Sequence, residues 1–217
     1  MRRAALIFAP AVFLGVVLAG RPASAQDPPP PLPRIVVDLH GLIPIFPNDA
    51  VQLAESRGLN VSELPGAGFG GRAGAHVYLL KIKAMTIGVG GEVVFGTSSS
   101  APAEGTTGLA AVDERLRTAS GQVSVNFGSG NGWSYLSGGL GRSQWLLHPA
   151  GTAETSADTE SLPTANYGGG ARWFVKKHLA FSLDVRIYEI QPGSAIGPRP
   201  GSPRTRLLVV GAGISVK

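Results

Sequence analysis

Residues 165–190 read ANYGGGARWFVKKHLAFSLDVRIYEI, and their pattern is that of two strands joined by a tight turn. From Leu179 onward, apolar and polar residues alternate strictly. Because successive side chains of a strand point to opposite sides, this strand has one apolar face and one polar face. Residues 166–175 alternate in the same way, more weakly, and Lys176 and Lys177 mark the turn between the two runs. The pattern therefore predicts a β-hairpin. The apolar face of its second strand carries Leu179, Phe181, Leu183, Val185 and Ile187, and the polar face carries Ala180, Ser182, Asp184, Arg186 and Tyr188.

The N-terminus has the pattern of an export signal. Two arginines follow Met1, an apolar run covers residues 4–19, and Ala23-Ser24-Ala25 resembles a cleavage site. The run is shorter than the roughly 20 residues that a membrane-spanning helix needs. We therefore predict a cleavable signal peptide over residues 1–25, with an uncleaved anchor as the alternative. Residues 26–33, which include PPPPLP, predict a stiff extended spacer that cannot join a sheet.

Charge and cysteine content restrict the class of the exported chain. Without the three arginines of residues 1–25, 16 of the 19 basic residues remain against 14 acidic ones, a net charge of +2. The basic residues are spread along the chain, which argues against nucleic-acid binding. The sequence has no cysteine. An exported protein without disulfides must be held by hydrogen bonding and burial, which a closed barrel can supply.

Eight strands are predicted between residue 34 and the C-terminus. Short connections follow strands two, four and six, whereas the other four connections are long and rich in Gly, Pro, Ser and Thr. In a meander every second connection lies at the same end, and this asymmetry is typical of outer-membrane barrels. The sequence therefore predicts an all-β, eight-stranded antiparallel up-and-down transmembrane β-barrel over residues 34–217. The strands are residues 34–46, 68–82, 84–96, 116–127 and 133–147, the two strands of the hairpin, and 205–216; the long connections are 47–67, 97–115, 148–163 and 191–204.

Aromatic residues near the strand ends suggest girdles at the two membrane surfaces. The strand 133–147 gives no clear sidedness, because one face is aromatic while the other mixes leucines with Arg142 and Gln144. Its orientation is left open. The predicted girdle residues are Phe46, Phe95, Phe127, Trp133, Trp145 and Trp173.

The polar faces of the strands contain enough charge to form a network inside the barrel. Three acidic residues can offset three arginines, and an isolated buried charge would be costly. The interior of an eight-stranded barrel is just wide enough for side chains to fill. We therefore predict a filled, salt-bridged interior, with a narrow conducting path as the alternative. The predicted network consists of Asp38, His40, Arg72, His76, Glu92, Arg172, Asp184 and Arg186.

No enzymatic signal stands out. None of the four histidines is followed by serine two residues later, the pair used by membrane-barrel lipid deacylases. His40 and His76, with Asp38 and Glu92 nearby, would allow a proton relay, but polar filling is the preferred interpretation. The glycine clusters lack the lysine and the strand–turn–helix context of a phosphate-binding loop. We predict no catalytic, cofactor-binding or metal site.

The leader, the meander and the hairpin GGGARWFVKKHLAFSLDVRIYEI resemble the small outer-membrane β-barrel domains of the OmpA, OmpX and opacity-protein type, over about residues 34–217. The segment Gly211–Val216 is similar to the C-terminal signal that the barrel-insertion machinery recognises in that family, although this chain ends in Val216-Lys217 rather than in an aromatic residue.

The resemblance implies a monomer in the outer membrane, surrounded by its lipid and lipopolysaccharide. It also implies a structural or adhesin-like role, with any extracellular ligand bound at the long loops. The alternative is a soluble exported barrel, similar to lipocalins, that binds an apolar ligand and turns its apolar faces inward.

Overall fold

The computed structural model describes residues 35–101, 109–129, 131–155, 158–195 and 200–217. The predicted signal peptide and proline-rich spacer lie outside the described residues. Each strand pairs antiparallel with the next in sequence, and β1 also pairs with β8, so that the sheet closes into a barrel. The predicted fold class is thereby confirmed. The strands are β1 (Ile35–Ile45), β2 (Phe69–Ile82), β3 (Met85–Ser100), β4 (Val112–Ser129), β5 (Gly132–Pro149), β6 (Thr159–Phe174), β7 (Leu179–Ile190) and β8 (Thr205–Val216).

Short and long connections alternate around the barrel, as the sequence predicts. The β2–β3, β4–β5 and β6–β7 connections are tight turns at one end, which we call the short-turn end. Gly128, just before the β4–β5 turn, has φ +105°, a conformation that residues with a side chain rarely adopt. The remaining connections lie at the opposite end, the long-loop end.

Several strands continue further toward the long-loop end than predicted. Residues 97–100, 112–115 and 159–163, which the sequence predicts as parts of long connections, are paired strand in the structure. Ser99 lies opposite Asp113 in the β3–β4 pair, and Trp145 opposite Glu160 in the β5–β6 pair. These extensions carry polar residues on their outer face, so they lack the apolar alternation from which the strands were predicted.

The first long loop contains a short helix that the sequence analysis missed. Helix α1 (Val51–Arg57) is followed by a 3₁₀ turn (Val61–Glu63), and Gly58 ends α1 in the left-handed conformation. Seven residues are too few for a clear helical period to be read from sequence. Among the described residues, no helix is long and apolar enough to cross a membrane.

The outer surface of the barrel is apolar over its middle part. On β7, Phe181, Leu183 and Val185 are exposed, whereas Asp184 and Arg186 are buried. The outward-facing apolar residues of β7 and β8, exposed or half-buried, cover nine positions each, from 179 to 187 and from 208 to 216. A tilted strand needs about 9–11 residues to cross a bilayer. We call this zone the apolar band; charged residues end it at the long-loop end, among them Arg117, Arg142, Glu189 and Arg206.

The interior is layered. An apolar cluster fills the long-loop half, the polar network lies at mid-height, and a smaller cluster of Val36, Tyr78, Trp133, Phe174 and Ala180 closes the short-turn end. The prediction of outer girdles is wrong for three aromatic residues: Phe46, Trp133 and Trp145 are buried inside the barrel. The aromatic face of β5 points inward, which resolves the open orientation of that strand. Phe95 and Trp173 are exposed on the outer surface, as predicted.

Candidate functional site

All eight residues predicted for the interior network are buried inside the barrel. Every one follows the alternation of its strand, which points the polar face toward the barrel axis. They are Asp38 and His40 on β1, Arg72 and His76 on β2, Glu92 on β3, Arg172 on β6, and Asp184 and Arg186 on β7.

Asp38 and Arg172 form the best-defined ion pair of the network. Arg172 donates from Nε to Asp38 Oδ1 at 2.9 Å and from Nη2 to Asp38 Oδ2 at 2.7 Å, a bidentate arrangement. Ser215 on β8 also donates to Asp38. The guanidinium of Arg172 stacks 4.0 Å from the ring centroid of Tyr135. The pair joins β1 to β6 and therefore crosses the lumen.

A second group is centred on Asp184. Arg72 donates from Nη1 to its Oδ1 at 2.5 Å, and the Tyr135 hydroxyl donates to its Oδ2 at 2.6 Å. Arg186 lies 3.4 Å from the same Oδ2. Gly170 leaves room for this contact, since a Cβ added there would lie 2.7 Å from the Tyr135 hydroxyl oxygen. Both oxygens of the Asp184 carboxylate are thus occupied by contacts within the protein.

Glu92 occupies the opposite wall. It accepts a hydrogen bond of 2.8 Å from the Tyr188 hydroxyl, and its Oε2 lies 3.7 Å from Arg186 Nε and 3.9 Å from Arg72 Nη1. Arg186 in turn donates to Asn166 Oδ1 at 2.8 Å. These contacts connect β3, β6 and β7, and they leave each acid of the network beside at least one arginine.

His40 contacts a serine, but not in the arrangement of a catalytic pair. Arg72 Nη2 lies 2.5 Å from His40 Nδ1, and a guanidinium can only donate, so Nδ1 accepts. The ring proton then sits on Nε2 and points to Ser182 Oγ at 2.6 Å. A nucleophile's base must instead accept the hydroxyl proton. The contact therefore gives no support to a hydrolase.

His76 does not extend the network as a proton relay. Its Nδ1 is 3.8 Å from Asp38 Oδ2, and neither ring nitrogen has a hydrogen-bond partner. Within the described residues, no group of three or more His, Cys, Asp or Glu side chains is arranged to hold a metal ion.

The first long loop covers the barrel mouth at the long-loop end. We call α1 and the 3₁₀ turn the loop-1 cap. Leu53 and Ala54 of α1 pack in the apolar cluster of the barrel. Arg57 donates from Nη2 to Glu160 Oε2 of β6 at 2.8 Å, and Ser202 also donates to Glu160. The cap is therefore fixed by both apolar packing and an ion pair.

Glu114 is a buried acid beneath the cap, beyond the apolar band. Its neighbours on the outer face of β4, Asp113 and Arg115, are charged, which places this level of the strand outside the band. Burial raises the pKa of Glu114 to about 8, although the Trp145 Nε1 that donates to it at 2.8 Å and the charge of Arg57 oppose the shift. Folding therefore favours its neutral form.

Several members of the network are not among the residues predicted from the sequence. Tyr188 lies on the predicted polar face of β7, where tyrosine was not counted as a partner for a carboxylate. Tyr135 was missed because the sides of β5 were left open. Gln122 and Asn126 alternate on the polar face of β4, and this signal was present in the sequence. Gln122 donates to Asn166 Oδ1 at 2.8 Å and so joins the Arg186 group.

Comparison with solved structures identifies the architecture. Neisserial surface protein A superimposes with a TM-score of 0.56 at 15% identity, over 85% of this chain and 97% of that one. This chain has the fold of the small eight-stranded outer-membrane barrels. The resemblance inferred from the sequence is thus confirmed at the level of fold.

Two further barrels also align with the chain. The attachment invasion locus protein Ail of Yersinia pestis covers 83% of this chain and 95% of its own, with a TM-score of 0.44 at 11% identity. The N-terminal domain of Pseudomonas aeruginosa OprF aligns over 83% of this chain and 96% of its own, with a TM-score of 0.42 at 11% identity. No family model matches the chain, and no curated protein matches its sequence.

Proposed function

We propose that this chain is an outer-membrane barrel with a structural or surface-interaction role and a filled interior. The proposal rests on one observation: the barrel has an apolar band on its outer surface and an ion-paired network in its interior. In a membrane every backbone polar group must be paired within the protein, which a closed barrel achieves. A soluble barrel that binds an apolar ligand needs the reverse arrangement, with Phe181, Leu183 and Val185 turned inward; here they are exposed.

The filled interior is supported by contacts that cross the lumen. Asp38–Arg172 joins β1 to β6, Arg72–Asp184 joins β2 to β7, and Tyr188–Glu92 joins β7 to β3. The loop-1 cap lies above them. A plugged interior predicts no steady conductance when the purified protein is inserted in a planar bilayer. Steady openings on the nanosiemens scale would instead favour the narrow pore.

The membrane location has a simple test. A barrel extracted from the outer membrane migrates differently on a gel before and after boiling, because the closed sheet resists detergent until heated. To test the location, the chain is expressed with residues 1–25 intact and the outer membrane is isolated. The protein extracted from that membrane is then run on this gel. N-terminal sequencing of the extracted protein tests cleavage after Ala25. Failure to fractionate with the outer membrane would refute the proposal.

The role of the long loops is tested by deletion. Binding residues commonly lie on loops held by a rigid scaffold. Replacing residues 150–158 with a short turn should leave heat-modifiable migration intact, because both flanking strands remain paired. Loss of attachment to host cells or matrix would support an adhesin-like role. Unchanged attachment with a weakened envelope would favour the structural role. We also propose that the insertion machinery recognises β8 and that the inserted barrel is a monomer.

A further inference from the structure

The outer face of β4 and β5 carries a cluster of arginines where the apolar band ends. Outward positions along β4 are Asp113, Arg115 and Arg117, followed toward the short-turn end by Ala119 and Gly121. Arg117 lies opposite Gln144 of β5, and Ala119 lies opposite Arg142. Residues on one face of neighbouring strands are within reach of each other. Arg115, Arg117 and Arg142, the arginine cluster, therefore form one basic patch.

Most of this charge is not neutralised inside the protein. Arg115 Nη1 pairs with Glu154 Oε1 at 2.6 Å, but both side chains are about half exposed. Arg142 donates to the backbone oxygen of Ser161 at 2.8 Å, a neutral partner that orients it. In the described part of the chain, neither Arg117 nor Arg142 is in an ion pair. Three arginines face two carboxylates on this surface, Asp113 and Glu154, so a net positive charge remains at the boundary of the band.

A small polar pocket lies beside Arg115 and Arg117 of the cluster. It has a volume of about 100 Å³ and opens on the outer surface of the barrel. Guanidinium groups pair with phosphate through two parallel hydrogen bonds, which fixes geometry as well as charge. The pocket is lined by Arg115, Arg117, Gln144, Leu146, Glu154 and Thr159.

Directly below the pocket, the same two strands border an apolar groove of about 820 Å³. Its floor is made of small outward residues, and Val37, Val93 and Leu140 form its walls. Arg142 lies at its upper edge, and Ala119 of its floor is the next outward residue of β4 after Arg117, which lines the pocket. A Cβ added at Gly121 would meet nothing within 4 Å, which shows that this part of the floor is open. The floor residues are Ala73, Ala75, Gly91, Ala119 and Gly121.

We propose that this face binds one phosphorylated lipid of the surrounding membrane, and the inference rests on the proposed membrane location. The arginine cluster holds the phosphate of the headgroup, and an acyl chain lies in the groove. A second copy of the chain is the less favourable occupant. A two-fold contact through this face would place the arginine cluster of one copy against that of the other. Anionic lipid gives the complementary charge instead.

Lipid titration followed by native mass spectrometry tests the assignment. The probes are diphosphoryl lipid A and the same lipid without its phosphates, added to the purified full chain in neutral detergent. Wild type should bind one diphosphoryl lipid A more tightly than the dephosphorylated form. With about five-fold in affinity for each arginine that faces an anionic headgroup, Arg117→Gln with Arg142→Gln should lose roughly 25-fold for the phosphorylated probe alone.

The groove is tested independently by filling it. Gly121→Leu should weaken both probes equally, because it occupies the acyl site and leaves the arginines unchanged. Two outward residues that line neither the groove nor the pocket provide matched controls. Gly41→Leu is tolerated, since an added Cβ meets only the Ala212 oxygen at 3.9 Å, and Arg206 is an exposed arginine of β8. Neither Gly41→Leu nor Arg206→Gln should change binding.

Other outcomes overturn the inference. Equal affinity of wild type for the two probes would contradict a site for the phosphorylated headgroup. Displacement of lipid A by millimolar inorganic phosphate would show a site for free anions in which the groove has no part. A dimer in place of the lipid adduct assigns the face to a second copy. Every variant is first checked for heat-modifiable migration. If wild type shows heat-modifiable migration but binds no lipid, only this inference is refuted. If wild type shows no heat-modifiable migration, the membrane location is refuted.

Discussion

Replacing Arg172 by methionine should be among the most destabilising single changes in the barrel. The side chain is buried, and its removal deletes both hydrogen bonds to Asp38 and the contact with the Tyr135 ring. Methionine keeps much of the volume, so the main effect is an uncompensated carboxylate in the interior. Breaking a buried pair in this way costs about 3–5 kcal/mol.

A second variant separates lost charge balance from lost packing. When Asp38→Asn is added to Arg172→Met, neither member of this pair is left as an uncompensated buried charge, and the expected cost falls to about 1–3 kcal/mol for incompletely bonded polar groups. Arg206→Gln is the surface control: its side chain is 73% exposed and pairs with Glu189 at 3.0 Å, so its loss should cost less than about 1 kcal/mol.

Reversible urea unfolding in lipid vesicles, followed by tryptophan fluorescence, measures all three variants. The expected order of stability places the double variant above the Arg172→Met single variant. The Asp38→Asn single variant, measured in the same way, completes the cycle. If the double variant were as unstable as Asp38→Asn and Arg172→Met added together, Asp38 and Arg172 would be acting independently. That result would refute the interpretation of the interior as an ion-paired network.

Three further predictions concern the cap, its buried acid and the packing of the strands. Arg57→Ala, which removes the 2.8 Å contact with Glu160, should accelerate hydrogen exchange in α1 while β7 and β8 stay protected; equal acceleration everywhere would contradict a separate role for the cap. The neutral form of Glu114 favours the closed cap, a contribution fully present below its ordinary pKa of about 4.5 and lost as the pH rises through about 8. Hydrogen exchange of α1, corrected for intrinsic rate, should therefore increase from pH 5 to pH 9 in wild type and not in Glu114→Gln; the same increase in both would exclude Glu114 as the cause. Gly170→Ala should lower the midpoint of urea unfolding, because the new Cβ would lie 2.1 Å from the Leu183 oxygen, whereas Gly121→Ala, in open space, should leave it unchanged or raise stability by about 0.5–1 kcal/mol.

The sequence predicts this fold well where strands cross the apolar band. On β7, burial on one face forces strict alternation, and the structure places each of those residues on the expected side. The alternation stops where both faces meet water or where the interior becomes apolar. Trp145 shows the second case: it was assigned to a membrane girdle, but it lies beneath the cap and donates to Glu114. An inward aromatic residue in an apolar layer has the same sequence signature as an outward one.

The interior network was predictable as a set of residues but not as a set of pairs. Polar positions such as Asp38 and Arg172 follow from strand periodicity. Their pairing depends on the shear of the closed barrel, which no local pattern records. The loop-1 cap was missed for a different reason. Its position depends on Leu53 and Ala54 packing against residues from several strands, and these contacts are all remote in sequence.

The span of the Asp38–Arg172 pair has a consequence for assembly. The two residues are separated by 134 positions and lie on β1 and β6. While the sheet is still open between β1 and β8, the aspartate on the first strand and the arginine on the sixth have no means of meeting across the axis. Each then remains an isolated ion that only water can stabilise. Water must therefore leave the lumen as β1 and β8 pair. Closure of the barrel and dehydration of its interior are then a single cooperative event.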